Sequence, residues 1–134
     1  MSQDIWFNLP VKDVERATSF YNAIGFKSSN VGGERAMISI GQTTIMLFPH
    51  ETFEKFTGAR AADTSHSAEV IISIGAESRE AVDSFIRNVE RAGGNVFGRP
   101  GETDGWMYGA GFADLDGHRW NLLYMDEDKM PKHQ

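Results

Sequence analysis

The polar residues best suited to chemistry are Glu69, Arg119 and Asn121, which lie in two segments where apolar and other residues alternate. Such alternation is typical of β-strands, and its parity puts the three residues on one face of a sheet. Desolvation by apolar neighbours would make Glu69 a general base that removes a proton next to a carbonyl. Arg119 and Asn121 could bind an oxyanion or a carboxylate. The simpler alternative is a Glu69–Arg119 ion pair without a catalytic role.

The same predicted face is too apolar for a surface exposed to water. Apolar residues combined with a few polar groups are typical of a small-molecule pocket or a buried interface. Trp106 and Tyr108 could add rings that stack on a planar or cationic ligand, although each could equally pack in a core or a dimer interface. The candidate ligand-binding residues are Trp6, Asn8, Met46, Phe48, Ile71, Trp106, Tyr108, Arg119, Asn121 and Leu123.

Length and composition narrow the classes of protein to consider. The chain has 134 residues, which suits one domain or two very small modules that share a core. It contains no cysteine, which excludes disulfides, thiolate metal ligands and cysteine nucleophiles. The formal net charge is −6 with scattered basic residues, which argues against nucleic acid and anionic membranes as partners. Without a recognisable signal peptide or an apolar run long enough to span a membrane, we expect a cytoplasmic protein.

A strand–helix–strands pattern occurs twice along the chain. Asp13 and Ser78, both good helix N-cap residues, lie 65 positions apart, and each follows an alternating segment. The pattern predicts two βαβββ modules in a single domain. Module 1 covers about residues 1–49, a polar linker about 50–67, module 2 about 68–126 and a solvated tail 127–134.

The predicted fold class is α+β, with the two modules forming a curved, mostly antiparallel eight-stranded sheet around a cleft. Helices are expected on the outer face, because each sheet has one fully apolar face that they can cover. The residues assigned to that helix-facing side are Ile5, Phe7, Leu9, Ile45, Leu47, Val70, Ile72, Ile74, Trp120, Leu122 and Tyr124.

Two long segments resemble the vicinal oxygen chelate superfamily, which comprises glyoxalases, bleomycin resistance proteins and dioxygenases. FNLPVKDVERATSFYNAIGFK resembles its first strand and helix, and ADLDGHRWNLLYMD resembles its last hairpin. AEVIISIGAESREAVDSF is similar to the predicted lactoylglutathione lyase branch. The resemblance implies the same double-module fold and a homodimer.

The resemblance also implies four metal-ligand positions, which fall on Trp6, Met46, Glu69 and Asn121. Only Glu69 is a competent hard ligand, because an indole cannot coordinate, a thioether suits soft metals and an amide oxygen is a weak ligand. The four histidines do not repair the site, since His66 has the wrong strand parity and the others lie at turns or in the tail. We therefore expect no metal site and no cofactor.

Two functions remain open at this point. The preferred one is a protein that binds a small hydrophobic or aromatic molecule in its cleft without a metal. The alternative is a glyoxalase-like lyase or isomerase with Glu69 as base and a weak or rearranged divalent metal site. The expected partners are a small-molecule ligand and a second copy of the chain.

Overall fold

The computed structural model describes residues 3–30, 32 and 34–131. The chain divides into two compact units with a boundary between Ser67 and Ala68. Each unit contains one four-stranded mixed sheet with helices. This confirms the predicted α+β class and the use of two βαβββ modules.

The first unit orders its strands β1-β4-β3-β2, with β1 and β4 parallel and the other neighbours antiparallel. Its helix α1 begins at the predicted N-cap, where the Asp13 side chain accepts a 3.1 Å hydrogen bond from the backbone N–H of Arg16. Gly25, with a φ of +109°, follows the helix end. The elements are β1 (Trp6–Val11), α1 (Val14–Ala23), β2 (Lys27–Asn30), β3 (Ala36–Ile40), β4 (Thr43–Pro49) and α2 (His50–Thr57).

The second unit repeats this topology with the strand order β5-β8-β7-β6. Its helix α3 begins where the Ser78 side chain accepts a 3.0 Å hydrogen bond from the backbone N–H of Ala81, as predicted. Helix α3 packs against β6, β7 and β8, and beneath it the rings of Phe112 and Trp120 stack 6.1 Å apart. The elements are β5 (Ile71–Gly75), α3 (Arg79–Arg91), β6 (Asn95–Thr103), β7 (Met107–Ala113), β8 (Arg119–Met125) and a 3-10 turn (Glu127–Lys129).

The segment predicted as a polar linker at residues 50–67 contains a helix in the structure. Its first part is helix α2, whose Phe56 ring meets the Phe48 ring edge-on at 5.0 Å. The sequence of this segment predicts only a weak helical turn, around Glu51–Phe56, where the structure has the two-turn helix α2. The end of the predicted tail, including His133, lies outside the described residues.

Two strands carry no alternating pattern that would reveal them in the sequence. Strand β2 reads Lys-Ser-Ser-Asn and lies at a sheet edge, so it needs no apolar face. Strand β6 contains Gly98, Pro100 and Gly101, and its pairing with β7 is irregular. Val96 pairs with Phe112 and Gly98 with Gly111, so Phe97 is an extra residue in a β-bulge.

The predicted helix-facing side is correct where the helices cover it and wrong at the sheet margins. Ile45, Leu47, Trp120 and Leu122 belong to the buried core. In contrast, Ile5, Phe7 and Val70 are 77%, 46% and 60% exposed. Ile5 and Val70 precede the edge strands β1 and β5, and α1 packs mainly against β2, β3 and β4.

The turn between β7 and β8 is organised by the buried side chain of Asp114. Its Oδ1 accepts hydrogen bonds from the backbone N–H groups of Asp116, at 2.9 Å, and His118, at 2.8 Å. Gly117 completes the turn with a φ of +89°, a conformation that other residues rarely adopt. The acidic residue of this hairpin motif therefore has a structural role.

We expect Asp114→Ala to lower the free energy of unfolding by about 2 kcal/mol or more, because two N–H groups of a buried turn lose their acceptor. Asp114→Asn retains an acceptor oxygen and should lose clearly less. Urea denaturation of the two variants and the parent protein measures both values. Equal losses for alanine and asparagine would contradict this account of the turn.

Candidate functional site

The second unit has an open groove on the sheet face opposite α3. The cavity measures about 260 Å³ and has mostly apolar walls. Strand β5 contributes Ile71, β8 contributes Leu123, and β6 and β7 contribute Phe97 and Met107. Such a surface can exclude water from a small apolar ligand on at least one side.

Two glycines of β7 allow the side chains of this groove to lie close to the strand. A methyl group added at Gly111 would lie 2.5 Å from Cε1 of Phe97, and one added at Gly109 would lie 2.5 Å from Cδ2 of Leu123. Gly111 is also the register partner of Asn121 on β8. The absence of side chains at these two positions therefore creates the floor of the groove.

The side-chain amide of Asn121 is a polar group in the wall of the groove. Its Oδ1 is buried and has no hydrogen-bond partner among the residues that the structure describes. Buried polar atoms are nearly always hydrogen-bonded, because an unsatisfied one loses its interaction with water. An Oδ1 of this kind in a groove is suited to a donor from a bound molecule.

Arg99 lines the groove and Arg119 lies against the lining residue Phe97, and the two arginines have different electrostatic settings. Arg99 is held by Glu90 through Nη1–Oε1 and Nη2–Oε2 hydrogen bonds of 2.9 and 2.8 Å, which lower the pKa of Glu90 and raise the pKa of Arg99. The guanidinium carbon of Arg119 instead lies 4.8 Å from the centroid of the Phe97 ring, a cation–π contact. The positive charge of Arg99 is thus compensated within the protein.

The structure brings four of the predicted ligand-binding residues to this region of the second unit. Ile71, Asn121 and Leu123 line the groove, and Arg119 lies on the ring of Phe97. Sequence reasoning missed Phe97 because the bulge shifts its strand out of simple alternation. The sequence feature that could have predicted the floor of the groove is the Gly-x-Gly spacing of Gly109 and Gly111 in an otherwise apolar strand.

Tyr108 does not lie in the groove. Its phenol donates a 2.6 Å hydrogen bond to the Asp83 carboxylate on α3, which raises the pKa of Tyr108, and the guanidinium carbon of Arg79 lies 5.3 Å from its ring centroid. Side chains alternate between the two faces along β7. Met107 faces the groove, so the next residue, Tyr108, faces α3. Trp106 lies in the β6–β7 turn and is absent from the groove lining.

The other predicted ligand-binding residues belong to the first unit. Trp6 and Met46 line an open depression of about 630 Å³, whereas Asn8, the register partner of Met46, is exposed outside that lining. Phe48 is buried, and its ring lies edge-on to that of Phe56 in α2. It lines a separate small pocket next to that helix.

The catalytic expectation for Glu69 is not supported by its surroundings. Glu69 is exposed, precedes the first residue of β5 and is not among the residues that line the groove. It also forms no ion pair with Arg119 in the described structure, which removes the simpler alternative.

The residues at the four implied metal-ligand positions do not fit a divalent ion. Trp6 and Met46, in the first unit, offer an indole and a thioether, while Glu69 and Asn121 offer one carboxylate and one amide. Across residues 3–30, 32 and 34–131, no group of three or more histidine, aspartate or glutamate side chains is placed to hold a metal ion.

Comparisons with known proteins identify the relatives of this chain. Residues 3–41 match the family model described as bleomycin resistance protein-like N-terminal. The structure of hypothetical protein SA1046 from S. aureus is 40% identical, with a TM-score of 0.85 over 92% of this chain and 94% of that one. A glyoxalase/bleomycin resistance protein/dioxygenase family enzyme from Burkholderia phytofirmans PsJN is 18% identical, with a TM-score of 0.77 over 90% and 96%.

An antibiotic binding protein, TnmS3 from Streptomyces sp. CB03234, is 22% identical, with a TM-score of 0.65 over 93% of this chain and 97% of that one. No curated protein sequence matches the chain. The fold is that of the glyoxalase/bleomycin resistance protein/dioxygenase class, the vicinal oxygen chelate superfamily, which confirms the resemblance of the sequence motifs. At 40% identity over nearly its whole length, the chain belongs to the same family as SA1046.

The helices in the described part of the chain are all too short or too polar to cross a membrane.

We expect Gly111→Ala to displace the Phe97 ring, because the added methyl group would overlap Cε1 of that ring. Phe97 is 46% exposed, so its ring can swing outward without moving the strand. The ring-current shift of the Arg119 side-chain protons, measured by NMR, should then disappear. Gly75→Ala is the control, since a methyl group there meets no atom within 4 Å. An unchanged Arg119 shift in Gly111→Ala would disprove the packing described for the floor.

Proposed function

We propose that this protein binds a small hydrophobic or aromatic molecule in the groove of its second unit without the help of a metal ion. The observation that carries the proposal is the buried, unpartnered Oδ1 of Asn121 among apolar walls. A bound molecule would satisfy this atom with an O–H or N–H donor while its apolar part covers Ile71 and Leu123. TnmS3, an antibiotic binding protein with a similar fold, supports the same use of the fold here.

The alternative, a glyoxalase-like lyase or isomerase with Glu69 as base, has less support. Glu69 is exposed and is not part of the groove lining. If the alternative were correct, Glu69→Gln would abolish turnover of a hemithioacetal or a related substrate. Under the binding proposal the same variant leaves the affinity of groove ligands unchanged.

We also infer that the protein forms a homodimer in the cytoplasm. In each unit the first strand, β1 or β5, is an edge strand of its sheet, and apolar side chains at or before these strands are exposed. Edge strands with exposed apolar residues favour association with a second copy.

The stability of Asn121→Leu tests the role of Oδ1 directly. Replacing an unsatisfied buried amide by an apolar side chain of similar size should raise the free energy of unfolding by about 1 kcal/mol. A structural role for the amide predicts the opposite sign. Thermal and urea denaturation against the parent protein give the value.

The matching binding measurement uses 4-ethylphenol and its methyl ether, which differ in a single O–H donor. We expect 4-ethylphenol to bind the parent protein about fivefold to tenfold more tightly than the ether, and the two to bind Asn121→Leu equally. NMR shifts of the Ile71 and Leu123 methyl groups report binding in the groove. Ser73→Ala, an exposed neighbour on β5, is the control variant. A donor advantage that persists in Asn121→Leu would refute the assignment.

The proposal also predicts that divalent metals do not bind stoichiometrically. Incubation with nickel, zinc or manganese should leave far less than one ion per chain by mass spectrometry and no change in melting temperature, because the donor set is incomplete. About one tightly bound ion per chain with a raised melting temperature would overturn this part of the proposal.

A further inference from the structure

Arg119, which the proposed function does not use, lies beside the groove, against the ring of the lining residue Phe97. Arg119 pairs in register with Ile71 of β5 and lies two residues before Asn121 on the same face of β8. Residues two apart in a strand are about 7 Å apart, so both polar groups can reach one small molecule.

The charge of Arg119 is not compensated by a carboxylate. Arg79 is paired with Glu102 at 2.8 Å and Arg99 with Glu90 at 2.8 Å, both within the second unit. For Arg119, no carboxylate of the described residues lies within 4.0 Å of the guanidinium. Arg119 is also partly buried, so it is less well hydrated than an arginine on the outer surface.

The contact with Phe97 leaves the hydrogen-bonding capacity of Arg119 intact. A cation–π contact uses the flat face of the guanidinium, whereas its N–H donors lie in the plane of the group. The Phe97 ring therefore contacts the guanidinium without using those donors. A guanidinium with free in-plane donors and no carboxylate partner among the described residues is suited to a two-pronged contact with a carboxylate or another planar oxyanion.

We propose that the ligand of this groove is an anion, a small apolar or aromatic molecule that carries a carboxylate for Arg119 and a hydrogen-bond donor for Asn121. This inference rests on the proposed function and specifies the chemical class of its ligand. Arg119 is the residue that selects anions, and Asn121 selects among them for those with a donor.

The test extends the 4-ethylphenol experiment with 3-(4-hydroxyphenyl)propanoate, which adds a carboxylate to the same phenol, and with its methyl ester. Both are titrated into the full chain while the Ile71 and Leu123 methyl groups are followed by NMR. The acid should bind the parent protein about tenfold more tightly than the ester, and this advantage should decrease as salt is added.

Arg119→Gln should abolish the advantage of the acid, while Arg119→Lys should retain part of it because the charge remains. Arg87→Gln is the matched control, since it removes the same charge from an exposed position of α3. The amide spectrum of each variant verifies that the fold is intact.

The outcomes separate the two proposals. Equal affinity of acid and ester for the parent protein, or an acid advantage that survives in Arg119→Gln, overturns the anion assignment and leaves the binding proposal standing. If neither compound shifts the groove methyl groups at millimolar concentration, the proposed function fails and the anion assignment fails with it.

Discussion

The register between β7 and β8 is the constraint on which the groove depends. It puts Gly111 opposite Asn121 and, one position further along, Phe112 opposite Trp120. A slip of one residue would move Asn121 to the helix side and expose Trp120, because side chains alternate between the two faces of a sheet. The buried carboxylate of Asp114 fixes the turn that sets this register.

The two faces of the second sheet satisfy their polar groups in different ways. On the helix side, the phenol of Tyr108 bonds to Asp83 and Arg79 pairs with Glu102, so the polar groups find partners within the protein. On the open side, the Oδ1 of Asn121 and the guanidinium of Arg119 lack such partners in the described structure. The paired groups on the helix side stabilise the fold. On the open side, the unsatisfied Oδ1 lowers the free energy of unfolding.

The groove has few polar groups, and the residues at the implied metal-ligand positions are poorly suited to a hard divalent ion. The fold keeps an open sheet face whichever side chains cover it, so function depends on the residues at a few positions. Here an indole, a thioether and an amide occupy three of the four positions implied for metal ligands. The remaining polar groups are suited to recognising a small molecule by shape, one hydrogen bond and charge.

The sequence by itself determined the two modules, both helix N-caps and the shared strand face of Ile71, Asn121 and Leu123. These follow from local rules, because caps depend on a few adjacent residues and strand parity on simple alternation. Only the tertiary structure decided that Phe97 reaches the groove through a bulge, that Tyr108 turns to α3 and that α2 covers Phe48. The structure also shows Glu69 exposed and outside β5, which begins at Ile71, whereas the alternation in the sequence had predicted that Glu69 belongs to this strand. Such outcomes depend on pairing and packing between segments distant in the chain, which no local pattern encodes.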